Sequence, residues 1–137
     1  MGARGVPLIA VVDDDAAVCE GISSLLRSAG YRCATFGSAE TFLTSGVAPE
    51  IDCILLDIRL PGMSGLDLHL ELNRINCAVP VLYITAVPDD DLRQRALSQG
   101  AIAVLRKALQ DDDLLNAIGS AIDGRSLGGS DSPSSQK

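Results

Sequence analysis

Two hydrophobic rhythms alternate along the chain. Short apolar runs, LIAVV at 8–12, DCILLD at 52–57 and VLYIT at 81–85, are each followed by a longer stretch in which apolar residues recur every three or four positions. An unbroken run reads as a strand buried on both faces, and the longer spacing reads as a helix with one buried stripe. Strands are predicted at Leu8–Val12, Arg32–Phe36, Asp52–Asp57, Val81–Thr85 and Ile102–Leu105. Helices are predicted over Ala16–Ala29, from an N-cap at Ser38 through Ser45, over Ser64–Asn73, from Pro88 and its three aspartates to Gln99, and over Asp111–Asp123. The first stripe holds Val18, Ile22, Leu25 and Leu26, the third Leu66, Leu70 and Ile75, and the last Leu114, Leu115, Ile118 and Ile122. Gly30 and Gly100 stand where helices should stop, while Gly46, Pro49, Pro61, Gly62 and Gly65 punctuate loops.

Five strand–helix units imply an α/β fold with a parallel sheet covered on both faces. The arrangement that suits them is a flavodoxin-like, doubly wound (βα)5 three-layer sandwich with strand order 2-1-3-4-5. Residues 1–123 are expected to form this domain. The Gly/Ser-rich stretch 124–137 is expected to be a flexible tail or linker.

Composition narrows the class. At 137 residues, 47% hydrophobic and 3% aromatic, the chain suits one domain with an aliphatic core. Eleven Lys and Arg against eighteen Asp and Glu leave a net charge of −7, which argues against nucleic-acid contact by this segment and against an anionic membrane surface. No apolar run is long enough to span a bilayer, and Met1–Ala10 lacks the apolar core of a secretory signal, so the cytoplasm is the expected compartment. Cys19, Cys33, Cys53 and Cys77 lack metal-ligand spacing and read as small core thiols. His69, the one histidine, reads as an ordinary polar residue on a helix.

Candidate chemistry follows from the fold. Open parallel sheets bind ligands beyond the carboxyl ends of their strands, where the strand order reverses. Asp13, Asp14 and Asp15 follow the first strand, Asp57 ends the third, Thr85 ends the fourth, and Lys107 lies just past the fifth. Asp15 and the triplets at 89–91 and 111–113 have a simpler reading as helix caps and first-turn charges. Asp13, Asp14 and Asp57 do not, because crowded carboxylates repel one another and are relieved by a hard divalent ion such as Mg2+. A carboxylate can also act as a nucleophile and form an aspartyl-phosphate. Lys107 and Thr85 then supply a charge and a hydrogen bond to the phosphoryl oxygens.

The segments VVDDD at 11–15, LLDIRLPGMSGLDL at 55–68, PVLYITA at 80–86 and GAIAVLRK at 100–107 resemble those of the receiver domain of bacterial two-component response regulators. LRSAGY at 26–31 and FGSAETFL at 36–43 resemble its FixJ-type branch in particular. The resemblance covers Leu8 to Ile122. It implies that Asp57 is the phosphoacceptor and that Asp13 and Asp14 hold Mg2+, Asp14 directly and Asp13 through water, with the backbone carbonyl of Arg59 completing the metal site. It implies that Thr85 and Lys107 contact the phosphoryl group and that the small Ala86 leaves room for it. The implied partner is a sensor histidine kinase. A DNA-binding output domain beyond this segment or a separate protein partner, and a homodimer through helix 4, strand 5 and helix 5, are further implications.

Two positions depart from the family pattern. Ala108 stands where a proline joined by a cis bond is usual. A cis bond before a non-proline costs about 3 kcal/mol, so a trans Lys107–Ala108 bond or a remodelled loop is predicted, either of which could turn Lys107 away. Val104 replaces a Tyr or Phe whose rotation reports the position of the threonine, so no relay through such a ring is expected. These departures favour an alternative, an atypical receiver that acts as a phosphorylation-independent interaction module. The intact Asp13, Asp14, Asp57 and Thr85 favour the phosphoacceptor. An enzyme acting on external phosphate esters is disfavoured, because Asp57-Ile58-Arg59 lacks the second acid of a D-x-D phosphatase and no phosphate-binding glycine loop is present. Self-phosphorylation and autodephosphorylation are the most catalysis expected.

Overall fold

A computed structural model describes residues 5–86, 89–107 and 110–126, with residues 125 and 126 described by their backbone alone. Five parallel strands, β1 (Leu8–Val12), β2 (Arg32–Phe36), β3 (Cys53–Asp57), β4 (Val81–Thr85) and β5 (Ala103–Arg106), form one sheet in the order β2-β1-β3-β4-β5. Each is followed by a helix: α1 (Ala16–Ser28), α2 (Ala39–Ser45), α3 (Gly65–Arg74), α4 (Asp90–Ser98) and α5 (Asp111–Ser126). This is the flavodoxin-like order expected from the alternating rhythms. The order reverses between β1 and β3, whose residues pair from Ile9–Cys53 to Val12–Leu56.

Alternation along the strands divides the core into two layers. Ile9, Val11, Leu55 and Leu82 pack with Leu26 of α1 and Ile118 of α5. Ala10, Val12, Leu56 and Tyr83 face the other way, against Phe42 of α2, Leu68 and Leu72 of α3 and Ala96 of α4. β1, β3 and β4 are buried along their whole length, as their unbroken apolar runs require. Asp15, Ser38, Ser64 and Asp89 cap α1 to α4 by accepting backbone N–H groups. All four cysteines are free thiols. No described helix is long and apolar enough to cross a membrane.

Besides shifts of one or two residues at several element ends, the structure departs from expectation in the following places. α3 buries Leu66 as expected but turns Leu70 and Ile75 to solvent, at 52% and 45% exposure, and buries Leu68, His69 and Leu72 in their place. β5 begins one residue later than expected and leaves Ile102 exposed. Residues 48–50, expected as loop, form a 3-10 turn. α5 runs to Ser126, three residues into the expected tail, and residues 127–137 lie outside those described.

Candidate phosphoryl-acceptor site

Each candidate group is set by the way its strand ends. After β1, the Asp13 N–H donates to the Phe36 carbonyl at 3.0 Å, so pairing with β2 continues one residue beyond the strand. Asp13 is buried, and its Oδ1 accepts the Asp15 N–H at 2.9 Å. This local turn points the other oxygen, Oδ2, across the strand ends. Asp14 is exposed beside it. At the end of β3, Asp57 is buried, with Oδ1 accepting the Arg59 N–H at 3.0 Å. Thr85 is buried at the end of β4, and its carbonyl accepts the Lys107 N–H at 2.9 Å.

That backbone bond starts the Lys107 side chain over the cluster. Its Nζ lies 3.0 Å from Asp57 Oδ2 and 2.9 Å from Asp13 Oδ2. Lys107 therefore is not turned away. Ala108, on which that expectation rested, is outside the described residues. The structure brings together Asp13, Asp14 and Asp57, whose carboxylate oxygens lie within 4.8 Å of one another, and places Lys107 among them.

Burial pushes the Asp57 carboxyl above its ordinary range, the Asp13 charge adds to this, and the Arg59 N–H and Lys107 ammonium oppose it. Burial would lower Lys107, but its ion pairs with Asp13 and Asp57 outweigh it and hold the ammonium above its usual range. The Lys107 ammonium therefore stays charged near neutral pH. Three carboxylates and one ammonium then leave a formal charge of −2 in a largely buried cluster. Asp13 Oδ2, although close to Nζ, has no hydrogen bond directed at it. A buried carboxylate oxygen without a hydrogen bond, in a site short of two positive charges, is suited to a hard divalent cation with oxygen ligands.

Arg59 does more than its backbone carbonyl was expected to do. Its N–H holds Asp57, and its guanidinium pairs with Asp89, the cap of α4, at 3.2 Å. Asp89 had looked like helix-terminal charge alone, and no local pattern signals a partner thirty residues away. Gly65 is a second unexpected contributor. A Cβ there would stand 2.2 Å from the Asp57 carbonyl oxygen, so α3 can start against Asp57 only because this residue has none. Val104 lines a cavity of about 220 Å3 together with Ile58, Thr85, Leu92, Arg93 and Arg106.

Residues 9–119 match the family described as the response regulator receiver domain. Nodulation protein W of Bradyrhizobium diazoefficiens is 39% identical over 111 residues, which are 81% of this chain and 49% of that protein. Transcriptional regulatory protein FixJ of Azorhizobium caulinodans is 38% identical over 116 residues, 85% of this chain and 54% of its own. The chain thus spans about half the length of these relatives. Among solved structures, response regulator StyR is 41% identical with a TM-score of 0.82, the match covering 90% of this chain and 63% of that one.

Proposed function

Because this chain belongs to the response regulator receiver domains, we propose that it is a phosphoacceptor, taking a phosphoryl group on Asp57 from the phosphohistidine of a sensor histidine kinase. A carboxylate oxygen of Asp57 attacks phosphorus, the P–N bond to the imidazole breaks, and an O–P bond forms. The nitrogen keeps the electron pair of the broken bond.

Phosphoryl transfer needs positioning and charge neutralisation more than covalent assistance. Asp14, Asp57 and the Arg59 carbonyl would hold Mg2+, with Asp13 acting through water. When bound, the ion cancels the cluster's excess negative charge and polarises a phosphoryl oxygen. The chain's own groups do the rest. The Arg59 N–H orients Asp57, Lys107 moves its ammonium to the incoming phosphoryl oxygens, and the Thr85 hydroxyl donates to another. The observation that carries this reading is Lys107 Nζ within 3.0 Å of both Asp13 and Asp57 in a three-carboxylate cluster. A lysine already in contact with the nucleophile needs only a short side-chain movement to follow the new charge.

The modified domain is proposed to change its contacts with an output partner. Three relatives, of which the match covers only about half the length, are named as transcriptional regulatory proteins, which supports a DNA-binding output domain in that role. The test is incubation with acetyl phosphate and Mg2+ followed by intact-mass measurement. One added phosphoryl group is expected on wild type and none on Asp57→Asn. Wild type that gains no mass overturns the proposal and favours a phosphorylation-independent module.

A further inference from the structure

The two FixJ-like stretches have no part in the chemistry so far, yet one of them touches the site loop. Glu40, in FGSAETFL, lies in the first turn of α2, and its Oε2 accepts the Met63 N–H at 2.9 Å. Met63 belongs to LPGMSG, the loop that joins β3 to α3. The preceding residue, Gly62, has a φ of +72°, and a Cβ there would stand 2.7 Å from the same Oε2. The carboxylate is therefore seated on a turn whose shape and lack of side chain admit it. The Met63 N–H also holds the Glu40 carboxyl below its ordinary range.

The loop is closed at its neck, where the Gly65 N–H donates to the Ile58 carbonyl at 3.1 Å. Arg59 lies just inside that neck, its N–H on Asp57 and its guanidinium on Asp89. The far end, Pro61–Met63, turns toward α2, where Glu40 meets the Met63 N–H. A loop fixed at the neck alone can still pivot about it, which would swing the Arg59 peptide. Anchoring the far end to a helix removes that freedom.

We infer that Glu40 is a positioning residue, which holds the Asp57 loop through Met63 and so fixes the Arg59 peptide that faces the acidic cluster. The inference rests on the reading above, in which the Arg59 carbonyl joins the Mg2+ site. Groups that orient a metal ligand without touching the metal are commonly worth about 10-fold or more in affinity or activity.

The test compares wild type, Glu40→Ala and Glu40→Gln. Mg2+ binding is followed by the amide shifts of Asp14 and Arg59, phosphorylation by acetyl phosphate is followed by mass, and thermal midpoints are recorded. Glu40→Ala should weaken Mg2+ binding and slow phosphorylation, each by about 10-fold, and speed hydrogen exchange at the Met63 amide, while the midpoint barely moves. Glu40→Gln keeps an oxygen that can accept the same N–H and should restore most of both activities.

Glu40→Ala binding Mg2+ like wild type overturns the inference. So does Glu40→Gln failing as badly as Glu40→Ala, because the hydrogen bond is then not what matters. If wild type binds Mg2+ but takes no phosphoryl group, the phosphoacceptor reading falls while the Mg2+ comparison still decides the role of Glu40. A wild type that binds no Mg2+ overturns both.

Discussion

The carboxyl edge of the sheet is built to two tolerances. Where β1 and β3 end, both strands are buried throughout, Asp13 and Asp57 each accept a backbone N–H, and α3 begins in contact with the Asp57 carbonyl. Where β5 ends, the strand is only partly buried through Val104 and Leu105 and exposed at Arg106, and a cavity opens beside Thr85. Chemistry on an aspartate needs atoms held to fractions of an ångström, and dense packing supplies that. A surface that must change its contacts needs alternative arrangements of similar energy, which loose packing permits. Lys107 stands at the border, on the loosely packed side, with its ammonium reaching Asp13 and Asp57 on the tightly packed one.

The strongest way to break this comparison is to disturb the tight half. Gly65→Ala places a carbon against the Asp57 carbonyl oxygen, where 2.2 Å is available. α3 must then move off β3. A cost of about 2–3 kcal/mol is expected in urea unfolding, as for overpacking of a well-packed core. A loss under about 0.5 kcal/mol, the range of ordinary surface substitutions, would show that this edge has slack and that the contrast between the halves is wrong.

A second probe lies behind the site. His69 is buried in α3, with Nδ1 2.9 Å from the Tyr83 hydroxyl on β4. Burial depresses its pKa below 6.5. Below that value the unfolded chain takes up a proton more readily than the folded one, so the His69 contribution is complete above pH 6.5 and is lost as the pH falls. One such group changes stability by at most about 1.4 kcal/mol per pH unit. Asp57, with its raised carboxyl, acts in the opposite sense, so the comparison is made against His69→Gln between pH 5.5 and 7.5. Wild type should lose stability toward pH 5.5 more steeply than the variant. Equal slopes would mean that α3 yields to a charged imidazole, and that the rigidity ascribed to this half stops short of His69.

His69 also shows where reading a sequence stops. The strands were legible because unbroken apolar runs admit one interpretation, and the acids were legible because the fold rule says which strand ends meet. GLDLHLELN does not have that clarity. Leu66 and Leu70 form one row along the helix and Leu68 and Leu72 another, turned about 200° away from it at 100° per residue. Local pattern treats these rows as equals. The structure buries Leu68 and Leu72 with His69 between them, keeps Leu66 buried as well and exposes Leu70, and Tyr83 on β4 offers the His69 ring nitrogen a hydroxyl. Ile102 misled in a similar way, as an apolar residue just outside the strand it seemed to open. The Glu40–Met63 and Arg59–Asp89 contacts join residues twenty-three and thirty positions apart. Asp89 has a sufficient local explanation as helix-terminal charge, and Glu40 is a single acid in a helical run, so nothing in the pattern asks for a distant partner.

The smallest expected effect tests the loose half directly. Val104 pairs in register with Tyr83, and both face α4. The cavity there, about 220 Å3, is larger than the roughly 150 Å3 that holds a benzene ring in a protein interior. Val104→Phe should place its ring between Leu92 and Ile58 without moving β5, and should raise stability by about 1 kcal/mol, as cavity-filling changes commonly do. The gain is limited because the cavity opens to solvent and Arg93 and Arg106 at its lining stay hydrated. Urea midpoints at pH 7.5 measure it, where His69 is neutral in both folded and unfolded chains. A loss of stability instead would show that α4 already sits as close to β5 as their side chains allow, and the two halves of the edge would then differ in exposure but not in packing.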